Sequence, residues 1–145
     1  MARGARQIIQ GSVVLDSQGL SLLIDEDERM IRRIEKARAE SFQVVISAIT
    51  IAEASSARPR RGRRDFVLSR LHIEPVTREL TLLAAELLLR NGMSGHRHAI
   101  DAVVAATALQ QARPTLLYAS DPDDMTALCA EPGRPKDERV IILRV

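Results

Sequence analysis

The chain has 145 residues, 46% of them apolar, and a formal net charge of +2. That is long enough for one domain with a real core and too apolar for a disordered segment. No apolar run approaches the roughly 20 residues of a membrane span. The basic start, MARGARQIIQGS, lacks a secretory apolar core, and the single cysteine, Cys129, has no internal partner; together these point to the cytoplasm.

Residues 1–12 read as a loose tail, and one domain is expected over 13–145. Val13-Val14-Leu15 is a short apolar strand ended by Asp16-Ser17. Leu20, Leu22, Leu23 and Ile24 suggest a short helix that tolerates Gly19. Asp25-Glu26-Asp27-Glu28 then places acids where a second helix starts, favourable for its dipole. That helix runs to about Ala39, with Met30, Ile31, Ile34 and Ala37 inside. Gln43 to Ser47 is a second strand, and Thr50-Ile51-Ala52-Glu53 opens a helix with a capping-box pattern.

An arginine-rich stretch follows, RPRRGRR, holding Arg58, Arg60, Arg61, Arg63 and Arg64. Such a run neutralises phosphates, or forms a solvated loop or a surface for an acidic protein. The only aromatics are Phe42, Phe66 and Tyr118, so stacked platforms for single strands are disfavoured and nucleic-acid contact would run through phosphates. A helix from about Arg64 to Leu71 and a short strand around His72 to Val76 come next. Thr77 caps a long helix through Leu88 that Asn91-Gly92 ends. Gly92 to His98 reads as a loop.

The segment 98–124, HAIDAVVAATALQQARPTLLYASDPDD, organises the remainder. Its small apolar residues make a helix buried on most sides, yet Asp101 stands near its start. Pro114 stops the helix and Thr115 to Ala119 is a buried strand. Asp121 then caps a helix opened by Pro122. Residues 131–138 are a polar loop, and Val140 to Leu143 is the last strand. Strands alternating with helices predict a three-layer α/β/α sandwich with a mainly parallel central sheet.

Four acids stand out: Asp16, Glu53, Asp101 and Asp121. Three lie just past strand ends or in the helical turns beyond them, positions that share one edge of a parallel sheet. Crowded carboxylates repel one another and are costly to desolvate. A hard dication such as Mg²⁺ or Mn²⁺ relieves that cost, and bound metal activates water against a phosphodiester. Singly, each acid has a plainer explanation as a cap, turn or first-turn residue; Asp101 has the weakest one.

Four stretches, VVLDSQGL (13–20), SAITIAEA (47–54), HAIDAVVAATAL (98–109) and YASDPDDM (118–125), are together similar to the PIN-domain ribonucleases, specifically the VapC-type toxins of toxin–antitoxin pairs. The resemblance implies an acid cluster of Asp16, Glu53, Asp101 and Asp121 holding Mg²⁺ or Mn²⁺ to cut RNA. Asp124 would be a further ligand or water-holder, Ser120 would orient the Asp121 carboxylate, and Ser17 would do likewise for Asp16. It also implies a VapB-type antitoxin that blocks the cleft, and a homodimer. The arginine run and Arg97 would hold the RNA backbone. The chain departs from the family in starting about a dozen residues early and in placing Met125 where many members carry an aromatic.

Three alternatives compete. A PIN-like fold can act only as a binding module, although that need not keep four isolated acids. A phospho-receiver wants paired acids after strand one and a lysine after a late strand, and neither is present. His96 and His98 form a His-x-His pair without the further ligands of a structural zinc site; His98 is expected at the cleft rim or at the helix cap.

Overall fold

Five short runs rich in Val, Ile and Leu form the strands of one parallel sheet, and helices cover both of its faces. The computed structural model describes residues 8–56 and 59–145. The elements in chain order are β1 (Gly11–Leu15), α1 (Ser17–Ile24), α2 (Glu28–Ala39), β2 (Phe42–Ser47), α3 (Ala48–Glu53) and α4 (Arg61–Ser69). After these come β3 (His72–Glu74), α5 (Arg78–Arg90), α6 (Gly95–Leu109), β4 (Thr115–Ala119), α7 (Pro122–Leu128) and β5 (Ile141–Arg144). The strand order is β3-β2-β1-β4-β5, with every pairing parallel. The expected three-layer α/β/α sandwich is therefore what forms.

Alternation along the strands sorts the side chains into two cores. Val13 and Leu15 of β1, with Val44 and Ile46 of β2, pack with Leu20, Leu23, Met30, Ile34 and Val67 from α1, α2 and α4. Val14, Val45, Leu117 and Ala119 face the other way, against Leu80, Ala84 and Leu87 of α5, the alanines of α6, and Leu128 of α7. Ala102, Ala105, Ala106 and Ala108 are each fully buried; their small size lets α6 lie close to both α5 and the sheet.

The chain leaves β1 outward to β2 and β3, then crosses back through α5 and α6 to reach β4 on the other flank of β1. Such a reversal leaves a crevice at the carboxyl ends of the two central strands.

Several boundaries differ from expectation for physical reasons. β1 begins at Gly11 rather than Val13, because Gly11 and Ser12 already pair with Phe42 and Gln43. A Cβ at Gly11 would lie 2.6 Å from the Pro114 carbonyl oxygen and 2.8 Å from the Phe42 ring, so only glycine fits there. α3 starts three residues earlier than the expected capping box. Ser47 is its N-cap, accepting from the Ile49 amide, and Thr50 is fully buried inside the helix. α4 takes in Arg61, Arg63 and Arg64, so much of the arginine stretch is helical rather than loop. The loop expected from Gly92 to His98 ends at Ser94, where α6 begins; His96, Arg97 and His98 lie in its opening turns.

The polar segment after α7 is clamped through Glu131, which pairs with Arg113 and Arg134. Arg113 donates Nη1 and Nη2 to the two carboxylate oxygens of Glu131, each at 2.8 Å. Nη1 also donates to the Glu138 carbonyl and Nη2 to the Leu109 carbonyl, and Glu131 also accepts from the Val140 amide. The Arg113 and Glu131 side chains are only 18% and 15% exposed. The bidentate Arg113 hydrogen bonds hold Glu131 below the usual carboxylate range. Because folding lowers this pKa, the stabilisation is complete above the unfolded value of 4.5 and is lost as pH falls through the lower folded value. Replacement by Glu131→Gln is expected to cost about 2 kcal/mol at pH 7, as for a partly buried pair losing one partner. It should also flatten the acid limb of the stability curve. Chemical denaturation between pH 3 and 7 checks both; an unchanged acid limb would refute the assignment.

Candidate metal centre

Asp16 follows β1 directly and is 5% exposed. Its Oδ1 accepts from the Gly19 amide at 3.0 Å, capping α1. Its Oδ2 accepts from the Ser120 amide at 2.6 Å and the Ser120 hydroxyl at 3.0 Å. Both oxygens are thus fixed, and the carboxylate ties the ends of β1 and β4 together. The expected orienting role of Ser120 is directed at Asp16 rather than Asp121. Ser17 is the first residue of α1, partly exposed.

Asp101 lies in the second turn of α6 and is half-buried. Burial pushes its carboxyl above the usual range, and the charges of Glu53, then Asp124, then Asp16 push it further; His98 opposes them. No hydrogen bond contributes to the perturbation. Asp101 thus feels the charges of three carboxylates that arrive from the end of β1, from α3 and from α7. Glu53, the last residue of α3, is exposed.

Asp124 enters from the first turn of α7, where its amide donates to Asp121 Oδ1 at 3.3 Å. Asp121 is exposed and serves as the N-cap of α7. Its charge is not among those that perturb Asp101. The arrangement brings Asp16, Glu53, Asp101 and Asp124 together, while Asp121 positions the turn that carries Asp124.

His98, Asp101 and Asp124 each offer a ligand atom, and these atoms lie within 4.8 Å of one another. A six-coordinate Mg²⁺ or Mn²⁺ holds oxygens about 2.1 Å away, so opposite ligands stand about 4.2 Å apart. The donor set therefore closes onto one dication with small side-chain adjustment, and carboxylates lacking hydrogen-bond donors are the chemistry such an ion relieves. His98 was expected at the rim or as a cap; the structure places it inside the cluster. The available signal was His98-x-x-Asp101, a spacing that puts both side chains on one helical face once residue 98 is helical.

The arginines are partly spent within the fold. Arg60 pairs with Glu26 at 3.1 Å and donates to the Ile24 carbonyl. Arg63 donates to the Leu23 carbonyl and lies over the Phe66 ring, and Arg64 pairs with Asp65. Arg58 lies outside the described residues. Among the described residues, Arg61 and Arg97 form no salt bridge. Arg60, Arg61 and Arg64 line a cavity of about 150 Å³ together with Ala54, Ser55 and Ser56, which directly follow Glu53.

A parallel sheet with its acids gathered at the carboxyl edge agrees with what the family comparison gives. The model of the PIN domain matches residues 13–127, and the chain belongs to that family. No protein of curated function matches the sequence significantly. Among solved structures, the chain is similar to VapBC2 from Rickettsia felis bound to a DNA fragment from its promoter. That match has 20% identity over 92% of this chain and 98% of the other, with a TM-score of 0.66. It is also similar to a toxin–antitoxin complex from Klebsiella pneumoniae, at 18% identity over 88% and 99% of the two chains, with a TM-score of 0.59. No helix among the described residues is long and apolar enough to cross a membrane.

Folding raises the Asp101 pKa, so its contribution to stability is complete below the unfolded value of 3.8 and is lost as pH rises through the folded value. At pH 7 the metal-free protein carries that penalty. Asp101→Asn should therefore melt at a higher temperature than the parent in chelator at pH 7. Added Mn²⁺ should stabilise the parent by about 2.7 kcal/mol at a hundredfold excess over its Kd, and the variant much less. Thermal melts with and without metal check this; an Asp101→Asn melt at or below the parent's in chelator would refute it.

Proposed function

We propose that this chain is a metal-dependent endoribonuclease of the VapC type, the toxin of a toxin–antitoxin pair. The observation that carries the reading is Asp101: a half-buried carboxylate, perturbed only by burial and charge, at the switch point of a parallel sheet with Glu53, Asp124 and Asp16 around it. Asp101 and Asp124 would hold Mg²⁺ or Mn²⁺, with Asp16 and Glu53 completing the negative wall and Asp121 setting the α7 turn. When bound, such an ion supplies a nucleophile at neutral pH and stabilises charge on a phosphoryl group.

The protein's own part is to place the phosphodiester and the attacking water. Glu53, the most exposed of the gathered acids, is suited to accept a proton from that water. Arg61 and Arg97 are suited to hold phosphates beside the acids, and Arg58, Arg60, Arg63 and Arg64 add positive charge along the same path. Ser120 keeps Asp16 aimed, and Ser17 lies beside it.

The partners follow from the same reading. The solved neighbours are a VapBC2 assembly and a toxin–antitoxin complex, which supports a VapB-type antitoxin. Leu82 and Leu89, seven residues apart on α5 and 54% and 76% exposed, support a homodimer.

Purified protein freed of any antitoxin is expected to cut labelled total RNA into discrete fragments with Mg²⁺ or Mn²⁺, and not in chelator. Asp101→Asn should lower the rate by more than about a hundredfold, the upper end for losing a group that merely supports a metal ligand. Asp16→Ala is a poorer control, since it also removes the α1 cap and the β1–β4 tie, at a cost of about 1–2 kcal/mol for the cap alone. Absence of cleavage by the folded protein under either metal would favour the catalytically silent binding module.

A further inference from the structure

We propose that His98 is a nitrogen ligand in this centre and sets its metal preference, favouring first-row transition dications over Mg²⁺. The inference rests on the metal-site reading above and adds a donor to it. His98 lies one helical turn before Asp101 on α6, so the two side chains share a face. In helical di-metal sites the same i, i+3 spacing, in the reverse order Glu-x-x-His, lets a carboxylate and an imidazole both project toward metal.

Three observations separate His98 from an ordinary surface histidine. Its side chain is only 23% exposed, and that of Asp124 30%. Its Nδ1 stands 3.5 Å from Asp124 Oδ2, beyond the 2.7–3.2 Å of a good N–H···O bond. The ring is therefore held beside the carboxylate without being consumed by it. Its ligand atom, that of Asp101 and that of Asp124 form a single group within 4.8 Å. These three residues come from two elements, α6 and α7, that pack against each other, so the set is held by the core rather than by a loop.

The donor types then decide the ion. Mg²⁺ demands oxygen ligands and retains its waters, and gains little from an imidazole. Transition dications gain from nitrogen in the order Mn²⁺, Fe²⁺, Co²⁺. A mixed set of one imidazole and two carboxylates thus discriminates where an all-carboxylate set would not.

The test uses Mn²⁺ and Mg²⁺ binding by calorimetry and pulsed electron paramagnetic resonance of the Mn²⁺-loaded full chain. The parent should bind Mn²⁺ more tightly than Mg²⁺ and show coupling to a histidine nitrogen. His98→Ala should lose that coupling and weaken Mn²⁺ by about tenfold or more, while Mg²⁺ changes by less than about threefold. Added imidazole should restore part of the Mn²⁺ affinity. His98 lies on the partly exposed first turns of α6, and an unchanged melting temperature in chelator verifies folding. Mn²⁺ binding without nitrogen coupling, or equal loss of both metals in His98→Ala, overturns the role of His98 and leaves the carboxylate site standing. Failure of the parent to bind either ion overturns both.

Discussion

The Asp16 carboxylate is the contact on which the rest of the site depends. One oxygen closes the first turn of α1 and the other takes two hydrogen bonds from Ser120. A single side chain thereby sets the direction in which the chain leaves β1 and fixes the end of β4 beside it. A parallel sheet has no hairpin to align its central strands, which are joined here through β2, β3, α5 and α6. Such pairing is non-local and needs cross-chain contacts of this kind. The cost of burying the Asp16 charge is offset by three donors, as a buried carboxylate requires.

Asp101 is the opposite case. It is half-buried, accepts no hydrogen bond from the described residues, and faces three acids against the single opposing charge of His98. Structural acids are paired or hydrogen-bonded, as Glu131 is with Arg113, Arg134 and the Val140 amide. Within one small domain, Glu131 is pulled below its usual range by its arginine partner, and Asp101 is pushed above it by burial and by like charges. Sites that store such a penalty belong to function more often than to stability.

The helices around the centre divide the work. α1 and α3 present acids near their ends, α7 presents Asp124 from its first turn, and α6 supplies both Asp101 and His98 from a face otherwise devoted to packing. The run of buried alanines that follows Asp101 brings α6 close to the sheet, which is how a helical side chain reaches a crevice made by strand ends. The arginine stretch is anchored in turn, through Arg60 to Glu26 and Arg63 to the Leu23 carbonyl.

Local pattern by itself determined the alternation of strands and helices, the α/β class and the placing of Asp16 at a strand end, because apolar runs, proline and caps act over a few residues. It also marked Asp101, since a charge within a small apolar helix conflicts with burial. Tertiary structure decided what local chemistry leaves degenerate. Ser47 and Thr50 are both good caps in isolation; the helix starts at Ala48, so Ser47 is the cap and Thr50 is buried within α3. Asp121 and Asp124 are equally acidic, and only the path of α7 turns one into a cap and the other toward Asp101. Which arginines remain available depends on partners some 40 residues away, and His98 joined the acids only because α6 begins three residues before it. Sequence pattern reports the forces between near neighbours; the meeting of charges from α1, α3, α6 and α7 is set by long-range packing.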